Sequence, residues 1–358
     1  MQTVNVALGE RSYDICIGSE CLAKLPRLVA ELLRPTSIAI VCDHIVAELY
    51  GRRTCEACRS AGLATSLIPF PAGEESKNLG QAEEICKRMF AAGLDRRSSL
   101  VALGGGVTGD LAGFAAAIYM RGISFVQAPT TLLAQVDSSV GGKTGVNLPG
   151  GKNLVGVFHQ PAAVFADIRA LHTLPVEEMR WGLAEAIKHG IIRDAAYLQM
   201  IEQEADKIEV RDEGVLEDLV AGSCRIKAAV VGADERESGL RAILNFGHTF
   251  GHAYEALSGY TLPHGEAVAM GMLAACRLAE RLRGCDRSVR ERLQSLLRRF
   301  GFSLRPPPFN AADALACMRG DKKAQGGRRR FVLPLRLGEV EVVEVEDESA
   351  IVAALRLE

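Results

Sequence analysis

Short β-rich runs alternate with helical segments through the first half of the chain, and this alternation constrains the fold more than any other feature. It predicts a parallel, doubly wound sheet with helices on both of its faces. Two earlier runs, TVNVAL and YDICIG, predict a hairpin at the start of the sheet. The strands predicted in the alternating part are SIAIVCD (37–43), LATSLIPF (63–70), SSLVALGGG (98–106) and ISFVQAP (123–129).

Long amphipathic helices replace this alternation after about His172. The first opens at Thr173-Leu-Pro-Val-Glu-Glu, where an early proline and acidic residues are typical of a helix start. We therefore predict an α/β domain with a Rossmann-like parallel sheet over residues 1–172, and a mainly α-helical domain over residues 173–358. A site for small ligands is expected where the two domains meet.

The composition restricts the class of ligand. A net charge of −2 over 358 residues argues against a general nucleic-acid or membrane surface. The sequence shows neither an apolar run that could span a bilayer nor a secretory signal. Its ten cysteines are scattered through apolar stretches, which suits reduced thiols, and Cys55-x-x-Cys58 lacks a second pair for zinc. We expect a soluble, cytoplasmic protein that acts on small molecules.

A glycine turn follows the strand at 98–106 and opens the next helix. Gly104, Gly106 and Gly109 have the spacing G-x-G-x-x-G, which lets a backbone approach a pyrophosphate at a helix N-terminus. The alternative is a turn needed only for packing the strand on the helix. The acidic residue that usually binds the ribose about twenty positions later is missing, and Asp43, which ends an earlier strand, is the candidate in its place.

The second half contains candidate metal ligands. Glu185 lies on the predicted helix GLAEAIKHG, and three histidines, His248, His252 and His264, lie within seventeen residues of each other. One carboxylate, two imidazoles and an open position form a common catalytic zinc site. Spacing alone does not decide which two of the three histidines bind the metal. The alternative for any one of them is a hydrogen-bonded histidine in a core.

Cationic residues are the third group of candidates. The glycine-rich segment 137–153 contains Lys143 and Lys152, and further cations occur beside other candidates. Each alone is explained by surface charge, but around one cleft they would suit a substrate with both phosphate and carboxylate groups. The acids Asp137 and Glu237 are available among them to polarise hydroxyls or accept protons. The further cations are Arg121, Lys188, Lys227 and Arg241.

Taken together, these motifs resemble the 3-dehydroquinate synthases, a family of sugar phosphate cyclases, over nearly the full length of the chain. The resemblance implies that Glu185, His248 and His264 bind a divalent metal, zinc or cobalt, and that His252 faces the substrate instead. The motifs that carry it are GEESK (73–77), GGGVTGD (104–110), YMRG (119–122), PTTLLAQVDSSVGGKTGVN (129–147), GKN (151–153), GLAEAIKHG (182–190), ESGLRAILNFGHTFGHAYE (237–255), PHGEAV (263–268) and DKK (321–323).

The same resemblance implies the other site residues. Lys188 and Glu237 match active-site positions, and Arg121 matches a residue that the family supplies across a dimer interface, which implies a homodimer. Contacts with substrate phosphate and carboxylate correspond to Lys143, Lys152, Asn153, Lys227, Arg241, Asn245, His252 and one lysine of the pair Lys322 and Lys323. Contacts with NAD correspond to Asp43, Glu74, Lys77, Gly105, Gly106, Asp110, Thr130, Thr131, Asp137, Ser138, Lys143 and Lys152.

The implied reaction starts from 3-deoxy-D-arabino-heptulosonate 7-phosphate. Oxidation of its C5 hydroxyl by NAD makes the C6 proton acidic, so phosphate can leave from C7, and reduction, ring opening and an aldol step then give 3-dehydroquinate. Related alternatives are other sugar phosphate cyclases and metal-dependent alcohol or glycerol dehydrogenases. The dehydrogenases would not need so many cations, because their substrates carry no phosphate. A non-catalytic scaffold would have lost a ligand or a cation, and none is missing.

Overall fold

The computed structural model describes residues 1–319 and 329–357, without the side chain of Arg319, so the predicted Lys322 and Lys323 lie outside the described residues. The described chain forms two compact units. The first comprises Met1–Pro175 and Glu213–Arg236, and the second comprises Val176–Asp212 and Glu237–Glu358. Along the described residues, no helix has the length and apolar character that crossing a membrane would require.

Eleven strands and fourteen α-helices are formed by the described residues. The strands are β1 Gln2–Val6, β2 Tyr13–Gly18, β3 Ile38–Asp43, β4 Thr65–Phe70, β5 Ser99–Gly104, β6 Ser124–Pro129, β7 Lys143–Leu148, β8 Gly151–Phe158, β9 Ala163–Asp167, β10 Arg329–Arg336 and β11 Glu339–Val345. The helices are α1 Cys21–Leu33, α2 His44–Val46, α3 Arg52–Ser60, α4 Leu79–Ala91, α5 Gly106–Ile118, α6 Val176–Arg193, α7 Ala195–Gln203, α8 Ala205–Glu209, α9 Glu213–Ala233, α10 His248–Leu257, α11 His264–Arg283, α12 Arg287–Arg299, α13 Ala311–Arg319 and α14 Glu348–Leu355.

The first unit is built on a seven-stranded sheet in the order β1-β2-β9-β6-β5-β3-β4. β1 and β2 form an antiparallel hairpin, and all other neighbours in the sheet are parallel. The predicted doubly wound sheet and its opening hairpin are therefore confirmed. β9 was not predicted, because a five-residue buried run such as AVFAD carries no alternation that marks a strand.

Side chains of the sheet alternate between two apolar cores, as the period of a strand requires. Ala39 and Val41 of β3 face the core under α4 and α5, whereas Ile40 faces the core under α1 and α3. Cys55 and Cys58 belong to this second core as free thiols, and burial raises the pKa of Cys58 to about 11. Buried thiols of this kind serve packing and not metal binding.

Helix α9 groups with the first unit, although the sequence placed residues 173–358 together in a helical domain. The apolar face of α9 includes Leu216, Leu219 and Val220, which are fully buried, and the helix packs on β1 and β2. Its amphipathic pattern predicts a buried face but does not indicate which surface covers that face. The N-terminal part of the first unit ends at Pro175, close to the domain boundary that was predicted after residue 172.

The glycine-rich segment that showed no clear period forms the antiparallel hairpin β7–β8. Its register shifts between Val146 and Leu148, and Gly145 lies so close to β8 that a Cβ there would meet the carbonyl oxygen of Val155 at 2.6 Å. Glycine in a strand commonly marks such a close backbone approach, which also weakens the strand pattern in the sequence.

In the second unit, α11 packs against α6 and α10, β10 packs on α11, and β11 packs on α6. The amphipathic pattern of residues 244–257 predicts a single helix, but the structure has a 3-10 helix at Leu240–Asn245 and begins α10 at His248. Gly247 separates them with a φ of 80°, a left-handed conformation that glycine adopts without strain. This break sets the direction in which α10 presents its histidines.

Candidate functional site

Three predicted metal ligands converge in the second unit. Glu185 lies in the middle of α6, His248 begins α10 and His264 begins α11. One ligand atom from each of them lies within 4.8 Å of the other two. Nε2 of His248 lies 3.6 Å from Oε1 of Glu185, and Nε2 of His264 lies 3.7 Å from the same oxygen.

These spacings fit a divalent metal ion. Tetrahedral zinc with ligand bonds of about 2.1 Å places its ligand atoms roughly 3.4 Å apart. The distances of 3.6 and 3.7 Å from Glu185 to the two histidines are therefore close to those of a bound ion. A carboxylate and two imidazoles also match the preferred donor types of zinc and cobalt, and they leave a position for an oxygen of a substrate.

The other ring nitrogen of each histidine has a partner that orients the ring. Nδ1 of His248 lies 3.2 Å from the carbonyl oxygen of Phe246, and Nδ1 of His264 lies 3.6 Å from Oε1 of the buried Glu255. Metal-binding histidines in proteins are commonly fixed in this way by a carbonyl or a carboxylate. Both Nε2 atoms are thereby turned toward Glu185.

The two imidazoles differ in their affinity for protons. Burial lowers the pKa of His248 to about 3, although Glu185 opposes this shift. Burial also acts to lower the pKa of His264, but contacts with Glu185 and Glu255 outweigh it and raise that pKa to about 9. At neutral pH the metal-free group therefore carries a proton on His264, and a metal ion must displace it.

Close helix packing sets the distance between these ligands. A Cβ added to Gly265 would lie 2.4 Å from Cα of Trp181, so α11 approaches α6 as closely as a glycine allows. Trp181 precedes Glu185 by about one helical turn, and Gly265 follows His264 directly. The contact therefore lies beside two of the three ligands.

The neighbours of this group include two predicted active-site residues. The buried ammonium of Lys188 forms an ion pair with Oε2 of Glu185. The ring of His252 lies edge-on to that of His248, with their centroids 5.7 Å apart, and 6.3 Å from that of His264. His252 is thus near the possible metal site without belonging to the group of converging ligand atoms.

Other predicted residues of the second unit lie on or beside the 3-10 helix Leu240–Asn245. Nδ2 of Asn245 donates to Oε1 of Glu237 at 2.6 Å, and the Arg241 side chain is 2% exposed. Glu237 has a φ of 60°, which a residue other than glycine seldom adopts. Such strain occurs disproportionately where a side chain must be held in one direction.

In the first unit, the glycine turn forms a cradle at the N-terminus of α5. A Cβ on Gly105 would approach Cγ2 of Thr131 to 3.0 Å, and one on Gly106 would approach Oγ of Ser138 to 3.2 Å. The backbone N–H of Thr130 donates to the carbonyl oxygen of Gly104, which fixes the turn. A bare backbone at a helix N-terminus fits a pyrophosphate, so the residues present fit NAD.

Two ion pairs, each between a buried lysine and a half-buried aspartate, bring further predicted residues together around this cradle. Nζ of Lys77 donates to Oδ2 of Asp110, the fifth residue of α5, at 2.6 Å. Burial raises the pKa of Asp110, although Lys77 opposes the shift. Nζ of Lys227 donates to both the carbonyl oxygen and Oδ1 of Asp137, at 2.6 and 2.7 Å. Asp137 belongs to a π-helical turn, a feature frequent at functional sites.

The structure does not group all predicted residues of the first unit. Lys143 begins β7 opposite Phe158, whereas Lys152 lies near the turn of the same hairpin. About five residues of strand separate them, which corresponds to roughly 15 Å. Asp43 caps α2 by accepting from two backbone N–H groups at the end of β3. Arg121 is exposed and lies in a left-handed turn.

Two residues with contacts to the site were not predicted. Glu255 lies seven residues after His248 on α10, so it shares the helix face of that ligand, and this spacing could have indicated it. Asn147 bridges Glu74 and Asn153, donating to the first and accepting from the second. No local signal marks Asn147, because its contacts depend on the register of a hairpin.

Comparisons with known proteins agree along the whole chain. A family model described as 3-dehydroquinate synthase N-terminal matches residues 67–181, and one described as 3-dehydroquinate synthase C-terminal matches residues 182–324. The chain is 50% identical over 347 residues to a 3-dehydroquinate synthase of Symbiobacterium thermophilum, covering 96% of this chain and 97% of that protein.

Solved structures of sugar phosphate cyclases have the same fold. A 2-deoxy-scyllo-inosose synthase complexed with carbaglucose-6-phosphate, NAD+ and Co2+ superposes with a TM-score of 0.90 and 27% identity, covering 99% of each chain. The 2-epi-5-epi-valiolone synthase of Streptomyces hygroscopicus subsp. jinggangensis with NAD+ and Zn2+ has a TM-score of 0.88 and 28% identity, covering 98% of this chain and 97% of its own. With both family models matched and half of its residues shared with a curated member, the chain belongs to the 3-dehydroquinate synthase family.

Proposed function

We propose that the protein is a 3-dehydroquinate synthase that converts 3-deoxy-D-arabino-heptulosonate 7-phosphate to 3-dehydroquinate and phosphate. The observation that carries the proposal is the convergence of Glu185, His248 and His264 within a chain that shares half of its residues with a 3-dehydroquinate synthase. The reaction is a step of the shikimate pathway.

Glu185, His248 and His264 hold the divalent metal in this proposal, and zinc or cobalt fits their donor types. The solved relatives that contain Co2+ or Zn2+ support this metal class. His252 remains outside the ligand group and faces the substrate, which is consistent with its ring distances from the other two histidines. Lys188, paired with Glu185, supplies a cation beside the metal.

The first unit binds NAD, with the pyrophosphate at the cradle of Gly105 and Gly106 and the ribose near Asp43. The ion pair of Lys77 and Asp110 fixes the start of α5 next to this cradle. The remaining proposed contacts with NAD are Glu74, Thr130, Thr131, Asp137, Ser138, Lys143 and Lys152.

When bound, the metal supplies a Lewis acid for substrate oxygens, and NAD supplies a reversible hydride acceptor. The chain's residues provide charge and position. Lys152, Arg241 and the other cations hold the phosphate and carboxylate, and this charge stabilises phosphate as it leaves C7. Because the phosphate can accept the C6 proton once C5 is a ketone, the site needs no additional strong base. The other proposed substrate contacts are Asn153, Lys188, Lys227, Glu237, Asn245, His252 and one lysine of Lys322 and Lys323.

A homodimer in the cytoplasm completes the proposal, with Arg121 contributed to the site of the partner copy. Met120 and Arg121 have φ values of 48° and 72°, and the Arg121 side chain is exposed. Two successive left-handed residues other than glycine cost free energy, which supports a role for the direction in which Arg121 points. Gel filtration with light scattering tests the dimer.

One assay tests the activity itself. Purified protein is incubated with the heptulosonate phosphate, NAD and zinc, while phosphate release and the organic product are followed by a coupled assay and by NMR. We expect one phosphate for each 3-dehydroquinate, without accumulation of NADH. Accumulating NADH would indicate a dehydrogenase, and a different carbocycle would indicate another sugar phosphate cyclase. Either result would refute the proposal.

A further inference from the structure

Asn147 lies where the regular pairing of β7 with β8 breaks, between Val146 and Leu148. At this break the backbone N–H of Asn153 donates to Oδ1 of Asn147 at 2.8 Å. Asn153 has a φ of 53°, so the backbone here has left the strand conformation. The side chain of Asn147 therefore supplies the acceptor that a regular ladder would otherwise provide.

The donor groups of Asn147 bond to a different segment, Glu74–Lys77. Its backbone N–H donates to the carbonyl oxygen of Lys77 at 2.7 Å, and its Nδ2 donates to Oε1 of Glu74, also at 2.7 Å. Lys77 in turn is paired through its ammonium with Asp110 at the start of α5. One side chain thus uses its donor on the Glu74–Lys77 segment and its acceptor on the Lys152–Asn153 segment.

We propose that Asn147 is a positioning residue that couples the Glu74–Lys77 segment to the Lys152–Asn153 segment. The inference rests on the proposed function, in which the first segment contacts NAD and the second contacts the substrate phosphate, with Lys152 also assigned to NAD. NAD that holds Glu74 in place also orients the amide of Asn147, because that amide donates to the same carboxylate. The oriented amide then fixes the backbone N–H of Asn153 beside Lys152.

This arrangement predicts that NAD and a phosphate-bearing ligand tighten each other's binding. Coupling between two sites is reciprocal and commonly amounts to about fivefold or more. Hydrogen bonds to charged groups contribute enough to account for an effect of this size. Removing the bridge should abolish the coupling without abolishing either binding site, because Asn147 itself need not touch either ligand.

Calorimetry on the zinc-loaded, full-length protein tests this directly. NAD is titrated with and without a saturating phosphonate isostere of the heptulosonate phosphate, for the wild type, Asn147→Ala and Asn5→Ala. Asn5 is a matched control, because its Nδ2 donates to Oδ1 of Asp14 at 2.8 Å in the β1–β2 hairpin. We expect about fivefold or greater coupling in the wild type and in Asn5→Ala, and less than about twofold in Asn147→Ala.

Hydrogen exchange gives a readout that needs no substrate analogue. NAD should slow exchange in the peptide 149–155 of the wild type, and this effect should vanish in Asn147→Ala. Asn147→Asp serves as a second variant if the alanine variant does not fold. It keeps an acceptor for Asn153 but opposes Glu74 with a second carboxylate. The phosphonate should then bind as in the wild type, while NAD binds more weakly and coupling is lost.

Three results would overturn the inference. One is a wild type that binds both NAD and the phosphonate without coupling between them. Another is a variant whose coupling stays within twofold of the wild type while both ligands bind more weakly, which is the pattern of a purely structural residue. The third is equal protection of peptide 149–155 by NAD in wild type and variant. A wild type that binds NAD but neither cyclises the substrate nor binds the phosphonate refutes the proposed function alone, since the exchange comparison still decides on Asn147.

Discussion

Replacing Gly265 by alanine should separate two of the proposed metal ligands without unfolding the protein. The added Cβ would lie 2.4 Å from Cα, 2.5 Å from Cβ and 2.7 Å from the carbonyl oxygen of Trp181. Two of these three atoms belong to the backbone and the third, Cβ, is bonded directly to it, so no rotation of the Trp181 side chain relieves the contact. Helices α6 and α11 must therefore move apart at this point.

The required movement can be estimated from contact distances. Packed carbon atoms lie about 3.5 Å or more apart, so the helices must separate by roughly 1 Å. Ligand distances in a metal site tolerate only about 0.2 Å. Because Glu185 is on α6 and His264 is beside Gly265, we expect zinc affinity to fall about 100-fold or more. Overpacking of this kind costs about 1–3 kcal/mol, less than the stability of a typical protein.

A competition titration of zinc against a chromophoric chelator measures the effect, with circular dichroism and thermal unfolding to verify the fold. Gly232→Ala is the matched control, since Gly232 is also helical and its added Cβ would meet only the carbonyl oxygen of Ala7, at 3.2 Å. The control should bind zinc as the wild type does. If Gly265→Ala bound zinc within about twofold of the wild type, the reasoning from helix packing would be refuted.

Zinc analysis should show that Glu185→Ala, His248→Ala and His264→Ala each lose the metal, whereas His252→Ala keeps it and loses turnover. If the His252 variant lost as much metal as the other three, the assignment of His252 to the substrate and not to the metal would be contradicted. Zinc affinity should rise about tenfold per pH unit up to about pH 9, because the raised pKa of His264 means that one proton must leave on binding. A flat profile between about pH 6 and 8 would contradict this. Calorimetry should show that Lys152→Ala weakens the binding of a phosphonate analogue more than the binding of NAD. Equal losses of affinity for the two ligands would exclude a role for Lys152 in binding the substrate phosphate.

Periodicity predicted the parts of the fold that local sequence determines. The hairpin β1–β2 and the parallel strands carry continuous apolar or alternating runs, which have few other interpretations. By contrast, β9 is short and wholly buried, and α9 shows an apolar face that many surfaces could cover. The place of each in the fold is set by long-range packing, which a local pattern does not contain.

The candidate site shows the same limit at the level of single residues. The motif glycines Gly105 and Gly106 follow from the chemistry of a pyrophosphate, and the structure gives them a bare backbone cradle. Asn147 is different, because its hydrogen bond to Asn153 depends on a register shift. This shift brings the backbone N–H of Asn153 to the side chain of Asn147. A shift of register cannot be read from a glycine-rich segment, since its residues do not alternate in polarity.

The four-residue spacing of His248 and His252 also shows why spacing alone left the ligands undecided. Two imidazoles one helical turn apart can bind one ion, but only if the carboxylate that completes the site faces both of them. Here Glu185 lies within 3.7 Å of His248 and His264, because the glycine contact draws α11 onto α6. Helix packing thus pairs His248 with His264, and His252 lies beside the site, outside the group of converging ligand atoms.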